Sequence, residues 1–310
     1  MRPQNITLII YPVALLCVLL TVHIFVGSIS IEISSNDAQR DFNTALGISL
    51  ITSYLLFAIR YIHQNVAHNL NVVLAVNKQY EGFYYHRSKI AGKFKQHLIW
   101  SASFGFIMPI IYMISEGVIS RINEPEVFFI AVTAIPFWSL IMLFFLQILT
   151  NNRYVISLSD QAQSVGLANQ ITVQHNVLRF GLTSAFISLF AMAIMPVFWI
   201  NQPVHLLDTV AIIIFGIGFS FVVLWPMVKV IRRLRSLSRQ LDTVNENKIS
   251  ELIHDSNSFQ ASRDIETLLS EKERYTRPLL RTHLMHFVLC LLPLPFSWAF
   301  MLLIDFAFIS

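Results

Sequence analysis

The sequence predicts an all-α, polytopic membrane protein: about seven transmembrane helices, set out as three hairpins and a C-terminal span, with a cytoplasmic helical hairpin before the last crossing. Three observations carry this. Of 310 residues, 55% are hydrophobic and only 13% charged, against roughly 25% charged in an average soluble domain. Mean hydropathy is +0.60, and 22 basic and 18 acidic residues cannot coat a soluble fold of this length. The apolar residues are gathered into runs of about 20, the length that spans a bilayer core. The basic residues are distributed with a strong bias between alternate loops, which is the signature of oriented insertion.

The runs fall at about 6–28, 44–62, 98–119, 127–149, 180–200, 204–228 and 284–306. In the first, Arg2 precedes the apolar core and Ser28-Ile29-Ser30 imitates a cleavage site, as in a signal peptide. Its core is longer than the roughly 7–15 residues of a signal h-region, so a retained helix is the expectation. The second run is the weakest. Loops after the first, third and fifth runs and the C-terminal end hold two bases, Arg40 and Arg121, while the other twenty of the 22 face the opposite side. Acidic residues divide eight to ten, which makes the outer face net negative and the inner face net positive. This places the N-terminus in the cytoplasm and the C-terminus outside, in a cell (inner) membrane. The sequence pI near 9.1 then reflects topology and attraction to anionic headgroups of the lipid bilayer, with no nucleic acid implied.

Each hairpin returns to a cytoplasmic segment: 64–96, 151–177 and 229–282. The units share architecture without evident sequence identity. The first segment mixes Tyr80, Phe83, Tyr84 and Tyr85 with Arg87, Lys89, Lys93 and Lys95. Such a mixture suits a helix lying at the membrane surface, with Tyr at headgroup depth and Lys snorkelling; a docking surface for another protein is the alternative. Proline recurs at Pro12, Pro109, Pro136, Pro196, Pro226, Pro293 and Pro295, positions that kink spanning helices. Small residues at helical spacing, Ser101 with Gly105, Gly181 with Ser184 and Ser188, and Gly216 with Ser220, favour close helix approach.

Residues for chemistry are few. His23, Glu116 and Asp305 lie at the outer ends of spans, where solvation is the plain explanation and a functional role the sharper one. Gln147 and Trp138 in the fourth run need only hydrogen-bond partners. The outer carboxylates Glu32, Asp37, Asp41, Glu116, Glu124, Glu126 and Asp208 either form a cation site or simply sit where bases are excluded. His283 and His286 have no second pair, and Cys17 and Cys290 lie in apolar runs, so neither a metal site nor a disulfide framework is expected. The sequence contains no phosphate-binding glycine loop, nucleophile turn or zinc-binding helix motif. No catalytic residue, cofactor or enzyme activity is expected.

One segment carries more information. From Arg232 to Ser250, Leu234, Leu237, Leu241 and Val244 are spaced three, four, three, as in the seam of a short coiled coil. A polar connector with Ile249 and Ile253 follows, and then Arg263-Asp264-Ile265-Glu266-Thr267-Leu268-Leu269 opens a second amphipathic helix. Helix, connector and helix directly after a span resemble a HAMP linker, the parallel four-helix module of bacterial membrane receptors and membrane-anchored nucleotide cyclases. The resemblance covers about 229–280. Leu234, Leu237 and Val244 match its buried positions, Ile249 its connector hydrophobe, and Ile265 with Leu268 the start of its second helix. Arg233, Asn247, Lys248 and Lys272 depart from its pattern.

The domains expected are a six-helix bundle over 1–228, the HAMP-like linker over 229–283, and a seventh span over 284–310. The resemblance implies a multi-pass sensory or signal-transduction protein that relays a bundle rearrangement through a homodimer of its cytoplasmic helices to a separate output protein. The alternative is a permease-like subunit coupled to a separate ATPase, since three hairpins with intracellular loops are also similar to the membrane half of an ABC exporter.

Overall fold

A computed structural model describes residues 3–30, 35–76, 81–115, 117–161, 166–202, 206–255 and 263–270, with the backbone alone at 3–5, 161, 206–220 and 255. Among them all regular structure is helical. Six long helices follow in order: α1 Pro3–Val26, α2 Asn36–Val76, α3 Gly82–Ser115, α4 Pro125–Gln161, α5 Leu167–Ala193 and α6 Leu206–Asp255. Short 3-10 turns at Val118–Arg121 and Met195–Trp199 follow α3 and α5. Five helices, α1 to α5, are long and apolar enough to cross a membrane. The expected seventh span, with Pro293, Pro295, His283, His286, Cys290 and Asp305, lies outside the described residues, as do Glu32, Glu116 and Lys272.

The helices exceed what a bilayer needs. At 1.5 Å per residue, the 41 residues of α2 reach about 60 Å, twice the roughly 30 Å hydrocarbon core. The described parts of the segments expected in the cytoplasm are therefore largely helical continuations of the apolar runs. Residues 82–97, expected as a helix lying on the membrane, are the first turns of α3 and run without a break into its apolar part. The cause is local: between Gly82 and Leu98 the only Gly or Pro is Gly92, and it lies in open space, so continuing the helix satisfies the backbone at least cost.

α2 and α5 form the interior, and α1 and α3 lie at the periphery. α2 packs on α1, α4 and α5; α3 packs along α4; α5 packs along α6. The core runs the full length of α2 through Ile51, Leu55, Ile62 and Leu74 and meets Ile148 of α4, Leu178 and Leu189 of α5, and Met227 of α6. α1 buries only the stripe Leu8, Pro12, Leu19 and His23, and its other faces are apolar and open, as a lipid-facing helix requires. It stops at Gly27, whose φ of 95° is the left-handed conformation that glycine adopts without steric penalty.

Small residues set the closest approaches. On α3 the buried positions are Ser101, Gly105 and Pro109, one turn apart. A side chain at Gly105 would meet Ser139 and the Ile135 carbonyl oxygen of α4. Gly181 of α5 similarly faces Met227 of α6, and Gly47 of α2 receives the Phe198 ring, whose Cε1 lies 2.7 Å from where a Cβ would stand. Pro12, Pro109, Pro136 and Pro226 lie inside helices. Pro196 instead opens the 3-10 turn after α5, so the fifth helix ends before the expected boundary.

Candidate functional site

A row of buried polar side chains lies along the C-terminal half of α4, past the end of its apolar run. Gln147, Asn151, Asn152 and Ser159 of this helix are all buried. A buried amide without a partner costs several kilocalories per mole in hydrocarbon; Gln147 and Ser159 find theirs on α3 and α5, while Asn152 Oδ1 has none among the described residues. Gln147 Nε2 lies 3.0 Å from His97 Nδ1 of α3, and Asn151 Nδ2 donates to Gln147 Oε1 at 3.3 Å. One turn further along, Tyr154 Oη pairs with His86 Nδ1 of α3 at 2.6 Å. On α5, Gln174 Nε2 donates to Ser159 Oγ at 3.4 Å. Arg233 of α6 forms an ion pair with Asp160. α4 is thus a strut held by polar contacts to α3, α5 and α6 in turn.

The relay seam expected from the sequence is part of this junction. Leu234, Leu237 and Leu241 are buried in the protein's own core, which also contains Val173 and Val177 of α5. Val244 is 38% exposed, and Asn245 takes the next place in the buried stripe. A straight helix turns 100° per residue, so Val244 lies about 60° further round than Leu241, while Asn245 returns to within about 40° of it. The strict heptad count suits a supercoil and drifts on a straight helix. Ile249, expected in a connector, is helical and half-buried, because α6 continues to Asp255. Residues 244–255 contain no Gly or Pro, and Glu, Lys, Leu and Ile among them support helix. Ile265 and Leu268 are half-buried in the separate helical stretch 263–270.

The outer end is closed by a second set of contacts. Arg121 Nη2 lies 2.9 Å from Asp41 Oδ2 of α2 and 2.7 Å from Glu124 Oε2. Asn43 Nδ2 donates to the Ile200 carbonyl at 2.7 Å and Gln39 Nε2 to the same oxygen at 3.2 Å. Arg121 hydrogen-bonds hold the Glu124 carboxyl below the usual carboxylate range, and Glu124, then Asp41, raise the Arg121 guanidinium in turn. Two of the carboxylates that the sequence offered as a cation site, Asp41 and Glu124, are therefore already ion-paired with Arg121. Among the described residues no group of three or more His, Cys, Asp or Glu side chains converges.

Sequence reasoning singled out Gln147 alone from the α4 set. Asn151, Ser159, Asp160, His86, His97 and Gln174 were legible only in part. The i, i+4 pair Gln147 and Asn151, at the point where the apolar run ends, is the one local signal that a polar face continues inward. Compared with protein-family models, with curated proteins and with solved structures, this chain matches none.

Proposed function

We propose that this chain is a multi-pass signal-transduction protein of a bacterial inner membrane, in which a rearrangement of the bundle reaches the cytoplasm along α5 and α6. The N-terminus lies in the cytoplasm, α6 and residues 284–306 complete seven crossings, and the C-terminus lies outside. The excess of basic residues on one side supports this orientation. One observation carries the relay: α6 is a single helix from Leu206 to Asp255, joining the bundle to the cytoplasm without a flexible link. A rigid element of that length transmits rotation or translation, and Arg233 with Asp160 offers a contact that is either made or broken.

The relay differs in one respect from a HAMP dimer. Leu234, Leu237 and Leu241 are covered by the same chain, so α5 occupies the place of a partner helix. A homodimer through the cytoplasmic helices would use the open side of α6, and a separate output protein would read its movement. The test is coupling across the molecule. Spin labels at Asn169 of α5 and Asn247 of α6, both exposed, report the cytoplasmic spacing of the two helices in lipid vesicles. Opening the outer contact with Arg121→Ala should shift the distance distribution, and an unchanged distribution would exclude a relay from the outer face.

A second reading, a permease-like subunit coupled to an ATPase, is favoured by the helical continuations of α2 and α3 and of α4 and α5 past the membrane. It requires co-purification of a separate ATP-hydrolysing protein that detaches when residues 77–81 are replaced by a flexible linker.

A further inference from the structure

The N-terminal end of α3 presents a cationic cluster that has no carboxylate partner among the described residues. Lys89 Nζ and Lys93 Nζ lie 5.7 Å and 6.0 Å from the centre of one ring, that of Tyr154 on α4. Lys89 also lies 5.9 Å from the Tyr85 ring. Arg87 and Lys95 flank them on α3, and Arg153 is the neighbour of Tyr154; all are exposed. α3 contains no Asp or Glu, and among the described residues no carboxylate forms an ion pair with any of these cations. Like charges held near a common ring repel one another, and an anion placed between them relieves that repulsion.

Depth and facing indicate which anion. Lys93 and Lys89 stand five and nine residues before Leu98, where the apolar span begins, or about 7 Å and 13 Å along the axis. A headgroup layer is roughly 5–7 Å thick on each side of the hydrocarbon, and lysine stems let the ammonium groups rise toward it. By the 100° turn per residue, Lys89, Lys93 and Trp100 fall within about 40° of each other. Trp100 is 64% exposed and Ile99 beside it 70%. On the same face, Ile107, Ile111 and Ile114 continue toward the other leaflet, all exposed. Cations at the edge of the headgroup layer and one turn outside it, an indole inside the span and an open apolar stripe beyond it match the parts of a phospholipid in order.

We propose that Lys89, Lys93 and Tyr154 form a binding site for the headgroup of an anionic phospholipid of the cytoplasmic leaflet, with its acyl chains along the Trp100 face of α3. The site bridges α3 and α4 beside the His86 and Tyr154 contact, so an occupied site clamps the two helices. It is independent of whether the bundle signals or transports.

The test uses the full chain in phosphatidylcholine vesicles with increasing phosphatidylglycerol carrying brominated acyl chains, which quench nearby tryptophan. Wild-type protein should show quenching that saturates at low phosphatidylglycerol content and that Trp100→Phe largely removes. Lys89→Gln with Lys93→Gln should raise the content needed roughly 30-fold, from the effect of two lysines at a membrane surface. Lys89→Arg with Lys93→Arg should restore it, and the charge-matched Arg235→Gln with Arg239→Gln should leave it unchanged. Equal loss in the α6 control would reduce the effect to diffuse attraction and overturn the site, as would a glutamine variant that behaves like wild type. Displacement of the lipid signal by millimolar inorganic phosphate would overturn the lipid as occupant and assign the cluster to a soluble phosphate.

Discussion

Asp160 near the end of α4 is ion-paired with Arg233 on α6, and this contact ties the C-terminal half of α6 to a helix other than its main neighbour α5. Both side chains are partly open to solvent, so the pair contributes less than a buried one, up to about 1 kcal/mol. Asp160→Asn should therefore lower thermal stability slightly while increasing hydrogen exchange selectively in α6 beyond residue 233. The exchanged pair Asp160→Arg with Arg233→Asp should recover most of that protection. Equal exchange throughout α6 in the single variant would show that α5 alone holds the helix.

Gly105 and Gly181 both sit at close helix contacts, but their neighbours differ in their ability to move. At Gly105 a Cβ would stand 2.7 Å from the backbone oxygen of Ile135, which only a shift of α3 relative to α4 relieves. At Gly181 the obstacle is the flexible end of Met227. Gly105→Ala is expected to destabilise by about 1–3 kcal/mol, the usual cost of overpacking, and Gly181→Ala by much less. Detergent-resistance midpoints of the two variants, measured side by side, check the order.

The outer contact of Arg121 with Glu124 predicts a pH response. The Glu124 carboxyl is lowered in the folded protein by its hydrogen bonds to Arg121. Its contribution is accordingly present above the ordinary carboxylate value and is lost as pH falls through the lowered one. Melting of the wild type should weaken below about pH 4 more than that of Glu124→Gln, since the ordinary Glu value lies near 4.3. Because this carboxylate is fully exposed, the difference should be small and should shrink in high salt. A larger acid sensitivity in Glu124→Gln would contradict the assignment.

Asn245 offers a stabilising substitution. It is 2% exposed, and its Nδ2 has no hydrogen-bond partner among the described residues. A buried donor left unpaired costs about 1–3 kcal/mol, and the stripe it extends is otherwise Leu234, Leu237 and Leu241. Asn245→Leu should raise the melting temperature, whereas Val244→Asn, at an open position, should leave it nearly unchanged. The reverse order would place Val244 in the seam as the heptad count requires.

How far the sequence carried the fold is visible in particular residues. Runs of about 20 apolar residues located α1 and the apolar parts of α2 to α5, because a bilayer imposes length and composition on each span separately. Ser101, Gly105 and Gly181 were legible as contact positions, since only small residues permit close approach. That 82–97 is helical was legible, but not that it runs on into α3, nor that α2 continues over 63–76, because composition outside the membrane does not say whether a polar segment continues a span or lies apart from it. Nor was the junction around Asn151, Ser159 and Asp160 legible, since its partners His86, His97, Gln174 and Arg233 lie on three other helices.

By itself, then, the sequence determined the solvent, the helical class and the bias of basic charge to one side, which depend on composition and local runs. The tertiary structure alone decided that the Leu234, Leu237 and Leu241 face is covered within the chain, that Asn245 rather than Val244 continues it, and that Lys89 and Lys93 converge on Tyr154. Those outcomes depend on which helices become neighbours and on the angle at which a straight helix presents its side chains. Spacing along one segment fixes neither.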